Sequence, residues 1–79
     1  MVARHAGGVT AAAHVLLGRN LVRLRGQKNM TQEQLAEKAD ISHRYLQSLE
    51  AGQKQPSINV VAKLRLALKC SWDELLKGV

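Results

Sequence analysis

The amino-acid sequence predicts an all-α fold built as one domain. The apolar mass is Leu, Val and Ala, with no Phe, one Trp and one Tyr. Leu and Ala favour helix, and the β-branched or aromatic runs that strands need are absent. Apolar residues recur at spacings of three and four, which places them on one face of a helix. The single proline, Pro56, falls between the periodic segments rather than inside one. A chain of 79 residues suffices for one domain and not two. It buries so small a core that dimerisation would help it.

Residues 1–9, MVARHAGGV, carry two adjacent glycines and no periodicity. They are expected to form a disordered N-terminal arm or an expression remnant, which leaves residues 10–79 as the folded domain. The first helix is expected from about Thr10 to Arg25. Leu17, Leu21 and Leu24 form its apolar stripe, and Gly26 is its expected C-cap. The second helix starts from Thr31, with Gln34 three residues on as a capping box and Met30–Leu35 as a hydrophobic staple. It is short, ends near Ala39 and turns Leu35, Ala36 and Ala39 inward. After Asp40-Ile41, Ser42 caps a third helix that runs to about Ala51 and stops at Gly52, with Leu46 and Leu49 inward. Gln53 to Pro56 reads as a polar loop. Ser57 caps a fourth helix with apolar Ile58, Val61, Leu64 and Leu68. Ser71-Trp72-Asp73-Glu74 is a second capping box, which opens a fifth helix ending before Gly78.

The charge balance limits the partners. Twelve Lys and Arg against six Asp and Glu give a net charge of +6. That favours an anion such as nucleic acid, an acidic protein or a membrane surface. No run is apolar enough to span a bilayer, and the N-terminus is not a secretory signal: Ala11 to Leu17 is weakly apolar, contains His14 and leads into a charged helix. One cysteine forms no internal disulfide. A cytoplasmic protein is the resulting expectation. Three histidines and one cysteine are too scattered for a zinc site, and no cofactor is expected. No nucleophile is spaced to meet a base and no glycine loop would cradle phosphate, so an enzyme is not expected.

The informative stretch is Thr31 to Gly52, TQEQLAEKADISHRYLQSLEAG. Two short helices joined by a turn of three or four residues make a helix-turn-helix unit, whose second helix enters the major groove. Leu35, Ala36, Ile41, Leu46 and Leu49 lock the crossing. Ala36 and Ala39 are small enough for close approach, and the outer face of the third helix is left free for hydrogen-bonding side chains. With Leu21-Val22-Arg23-Leu24-Arg25, Met30-Thr31-Gln32-Glu33-Gln34-Leu35-Ala36, Ile41-Ser42, Leu49-Glu50-Ala51-Gly52, Pro56-Ser57 and Ser71-Trp72-Asp73-Glu74-Leu75-Leu76, the sequence resembles the Cro/C1-type (XRE) helix-turn-helix family over about Leu17 to Leu76. The resemblance implies a compact five-helix, lambda-repressor-like bundle that binds duplex DNA, as a dimer, to regulate transcription as a repressor or controller protein.

The resemblance also implies residue roles. His43, Arg44, Gln47 and Ser48 lie where such proteins touch base edges. Arg44 has the fork that matches guanine O6 and N7, and Gln47 the amide that matches adenine. Thr31 and Gln32, at the start of the second helix, together with Lys28, Tyr45, Gln53, Lys54 and Gln55, are expected along the phosphate backbone. Tyr45 has an alternative, packing its ring on a neighbouring helix. Arg25 and Glu50 occupy positions that pair in related phage repressors, which implies a partly buried ion pair. Trp72, Leu75 and Leu76 are candidates for the dimer interface, with Trp72 alternatively covering the core edge. Cys70 reads as a small buried hydrophobe. The family often has glycine at Asp40 and at Lys69. A left-handed Lys69 would cost about 1–2 kcal/mol, so a different cap geometry is expected there. Nothing in the sequence places the side chain of Arg65. A second function class stays open, an antitoxin-type module that holds a partner protein and represses its own operon.

Overall fold

The computed structural model describes the backbone from Val2 to Val79 and the side chains from Ala13 onward. Five helices follow in order: α1 (Val2–Gln27), α2 (Gln32–Lys38), α3 (His43–Glu50), α4 (Ile58–Leu68) and α5 (Trp72–Leu75), with no strand among the described residues. The fold is thus the five-helix bundle expected. The expected boundary between residues 9 and 10 falls inside α1.

Each later helix begins on the residue whose side chain competes best for the free N–H groups of a first turn. Thr31, Ser42, Ser57 and Ser71 all hold extended backbone and accept from the N–H three residues on. At Thr31 and Ser71 the partner side chain of Gln34 or Glu74 reaches back to the cap N–H and completes the box.

The helix ends share one device. Asn29, Asp40, Gly52 and Lys69 are left-handed, with φ of 55°, 56°, 73° and 52°. In each case the next residue returns its N–H to a carbonyl five positions back: Met30 to Arg25, Ile41 to Ala36, Gln53 to Ser48 and Cys70 to Arg65, at 3.0–3.3 Å. This is the Schellman closure, which satisfies orphan carbonyls and turns the chain sharply. Two of these caps differ from expectation. Gly26 is not the cap of α1. The helix runs past it to Gln27, and Asn29, whose short polar side chain tolerates the left-handed region, makes the turn. Lys69 does adopt the left-handed cap, because Cys70 must swing back into the core.

The core is a leucine cluster contributed by every helix. Leu21, Leu35, Leu46, Leu64, Leu68 and Leu75 have no measurable exposure, and Leu17, Leu24, Ala36, Ala39, Leu49, Val61 and Cys70 complete it. Ile58 departs from expectation: it is 69% exposed. It is the first residue of α4, and the inward stripe begins only at Val61. Leu75, expected at a dimer interface, is instead spent in the core of one chain, with no measurable exposure.

Candidate nucleic-acid interface

The helix-turn-helix unit is held from behind by α1. Gly18 of α1 sits against the end of α3, where a Cβ would lie 2.6 Å from the Leu49 carbonyl oxygen and 2.7 Å from that of Glu50. Only a glycine permits that approach. Gly52 lies beside Val15 in the same crossing, with a backbone that L side chains rarely adopt. Behind α3, Leu46 and Leu49 lock it into the core. The helix therefore presents a fixed outer face.

A polar network ties the same helix to α1 and α2. Arg25 donates from Nε to Glu50 Oε2 at 2.8 Å and from Nη2 to Glu50 Oε1 at 3.1 Å, a bidentate pair. Its Nη1 donates to the Met30 carbonyl at 3.0 Å, which fastens the α1–α2 turn. The Glu50 side chain is 5% exposed and that of Arg25 20%. Glu50 Oε1 also accepts from Gln32 Nε2 at 2.7 Å, and Gln32 Oε1 lies 3.2 Å from His43 Nε2. The expected ion pair is present, and it extends onto two residues expected at the DNA surface.

The remaining residues expected at the DNA surface lie on or beside α3. Arg44 and Gln47 are exposed on its outer face. Ser42, Arg44, Tyr45, Ser48 and Lys54 line one shallow groove. Ser48 donates its hydroxyl to the Arg44 carbonyl at 3.3 Å, which leaves its oxygen as an acceptor. Tyr45 is partly buried against the core, so its ring packs as the alternative reading expects while the residue still borders the groove. Arg25, Thr31, Gln32, Glu33 and His43 line a second hollow at the start of α2. Lys28, Gln53, Lys54 and Gln55 are exposed in the flanking turns.

At the far end of the domain, α5 is clamped to α1. Buried Asn20 donates from Nδ2 to the Leu75 and Lys77 carbonyls at 2.8 and 2.9 Å, and its Oδ1 accepts from Arg23 at 3.1 Å. Hydrogen bonds from the backbone and side chain of Ser71 hold the Glu74 carboxyl below its usual range. Burial pushes the Cys70 thiol up, as suits a small core residue. Arg65 finds its place over the Trp72 ring, 5.0 Å from the centroid, with Nη1 donating to the Cys70 carbonyl at 3.4 Å. Trp72 remains 39% exposed and Leu76 is partly buried.

Gly18 and Asn20 lie outside the sequence expectations. Both carried a signal, a glycine inside a helical pattern and an amide beside Leu21 on the apolar side. Among the described residues no cluster of His, Cys, Asp and Glu could hold a metal ion, and no helix is long and apolar enough to cross a membrane.

Comparison with known proteins matches this geometry. The sequence profile of the helix-turn-helix family fits residues 21–75. An uncharacterised HTH-type transcriptional regulator of Sinorhizobium fredii, y4dJ, is 39% identical over 61 residues, which cover 77% of this chain and 79% of that protein. The restriction-modification controller protein C.AhdI from Aeromonas hydrophila superposes with a TM-score of 0.77 at 34% identity, over 81% of this chain and 97% of its own. The clp gene regulator ClgR from C. glutamicum gives the same TM-score and identity, over 81% of this chain and 83% of its own.

Proposed function

Starting from a chain that belongs to the helix-turn-helix family of transcriptional regulators, of the Cro/C1 (XRE) type, we propose that it binds a specific palindromic duplex site as a homodimer. The observation that carries this reading is the outer face of α3. Arg44 and Gln47 stand exposed there on a helix pinned by Leu46, Leu49 and the Gly18 crossing. In this reading α3 lies in the major groove. His43, Arg44, Gln47 and Ser48 meet base edges, with the Arg44 fork on guanine O6 and N7. Lys28, Thr31, Gln32, Gln53, Lys54 and Gln55 line the phosphates on either side, and Tyr45 borders them with its hydroxyl. Phosphate contacts set the register and base contacts set the sequence.

The dimer is proposed through the exposed Trp72 and the adjoining Leu76. A two-fold arrangement would place two α3 helices about 34–36 Å apart, one turn of DNA. The net charge of +6 supports a strongly salt-dependent affinity. The likeness to a controller protein and a gene regulator supports a regulatory outcome, which in this reading is exerted as repressor or controller at DNA in the cytoplasm.

The test is selection of binding sites from random duplex DNA at two salt concentrations. An enriched palindrome with half-sites one helical turn apart, lost with Arg44→Ala, is the expected result. Salt-sensitive binding without an enriched motif would refute sequence-specific recognition and turn attention to a protein partner.

A further inference from the structure

The hydrogen bonds behind the recognition helix have only one self-consistent set of directions. Glu50 takes two bonds from the Arg25 guanidinium, so its carboxylate is an acceptor on both oxygens. Gln32 stands 2.7 Å from Glu50 Oε1 and must present its amide nitrogen there, because an amide oxygen would set two acceptors against each other. That fixes the opposite end of the amide. Gln32 Oε1 faces His43, and an acceptor 3.2 Å from Nε2 requires a hydrogen on Nε2. A neutral imidazole carries one N–H, so Nδ1 is left as a bare acceptor. Nδ1 has no partner among the described residues.

We infer that the Arg25–Glu50–Gln32 chain selects the Nε2–H tautomer of His43, and that His43 thereby reads a base carrying an exocyclic amine. His43 is the first residue of α3, beside exposed Arg44. In the major groove the donors are adenine N6 and cytosine N4, whereas guanine N7 and O6 and thymine O4 are acceptors. The two neighbours then divide the code: Arg44 supplies donors to guanine, and His43 supplies an acceptor to adenine or cytosine. Gln32 acts as a positioning residue. Its second amide N–H stays available to a phosphate, which would couple backbone contact to tautomer choice. The inference rests on the proposed DNA-reading function, and the two are separable by experiment.

The tautomer is measured without DNA, from the imidazole ¹⁵N shifts of the labelled chain on their alkaline plateau, with His43 assigned through His43→Gln. The expected result is an Nε2–H ring in the parent and a return to a mixture of tautomers in Gln32→Ala. A mixed or Nδ1–H ring in the parent overturns the relay. The second arm uses the selected duplex. Replacing the amine-bearing base by guanine or thymine should weaken the parent by about two- to tenfold, the worth of one hydrogen bond, and leave His43→Ala indifferent. A guanine or thymine preference that disappears in His43→Ala overturns the reading role. Failure to enrich any site would overturn that role together with the proposed function, while the ¹⁵N result would still decide the relay by itself.

Discussion

Two glycine-to-alanine changes in the same helix should move stability in opposite directions. At Gly18 an added Cβ lies 2.6 and 2.7 Å from two backbone carbonyl oxygens of α3, well inside ordinary contact at 3.4–4 Å. Neither oxygen can rotate away as a side chain would, so α1 and α3 must separate by several tenths of an ångström. Overpacking of that kind costs about 3 kcal/mol, the upper part of the usual range. Alanine returns about 1 kcal/mol through helix propensity. The net loss is about 2 kcal/mol, which lowers the Tm of a domain this size by roughly 8–16 °C. At Gly26 the same added Cβ meets nothing within 4 Å. There only the propensity remains, so Gly26→Ala should gain about 0.5–1 kcal/mol and raise the Tm by roughly 2–8 °C. Thermal unfolding followed by far-UV circular dichroism reads both. A Gly18→Ala variant as stable as the parent would show that the α1–α3 crossing relaxes freely, and the reasoning from fixed carbonyls would fail.

Further predictions follow from the network and the caps. Glu50→Ala strands the Arg25 guanidinium and frees Gln32. Because Arg25 retains some solvent, the loss should be about 2–3 kcal/mol, below the figure for a fully buried pair; an unchanged urea midpoint would count against it. Lys69→Gly relieves a left-handed side chain that costs about 1–2 kcal/mol while adding about 0.5–1 kcal/mol of backbone entropy. A net gain of about 0.5–1 kcal/mol is expected in the same urea titration. Glu74 has its folded-state pKa lowered, so its contribution is present above the ordinary carboxylate value and is lost as pH falls through the lowered one. Following Trp72 fluorescence during acid titration should show an α5 transition below about pH 4.5 that Glu74→Gln, which keeps the capping geometry without the charge, does not show.

Much of the architecture was legible in short windows of sequence. Helix starts depend on one hydroxyl and the N–H three residues on, so Thr31, Ser42, Ser57 and Ser71 could be read directly and all four cap as expected. Apolar spacing placed Leu17, Leu21, Leu24, Leu35, Leu46, Leu49 and Leu64 in the core, because a helix has one period and one buried face. It failed at Ile58, where the first turn of α4 precedes the packed stripe, and at Leu75, whose apolar character did not reveal whether a core or a partner would cover it. The left-handed Lys69 overrode local preference, since returning Cys70 to the core offsets the backbone cost. The polar chemistry was decided across long separations. The Asn20 clamp spans 55 residues, the Arg25–Glu50 pair 25 and the Gln32–His43 contact 11. The order of residues therefore determined which segments are helical, where they start and which face of α3 is free. Only the packed fold decided how closely α1 approaches that helix and which atoms its polar side chains turn outward, because hydrogen-bond direction and backbone clearance exist only once distant segments meet.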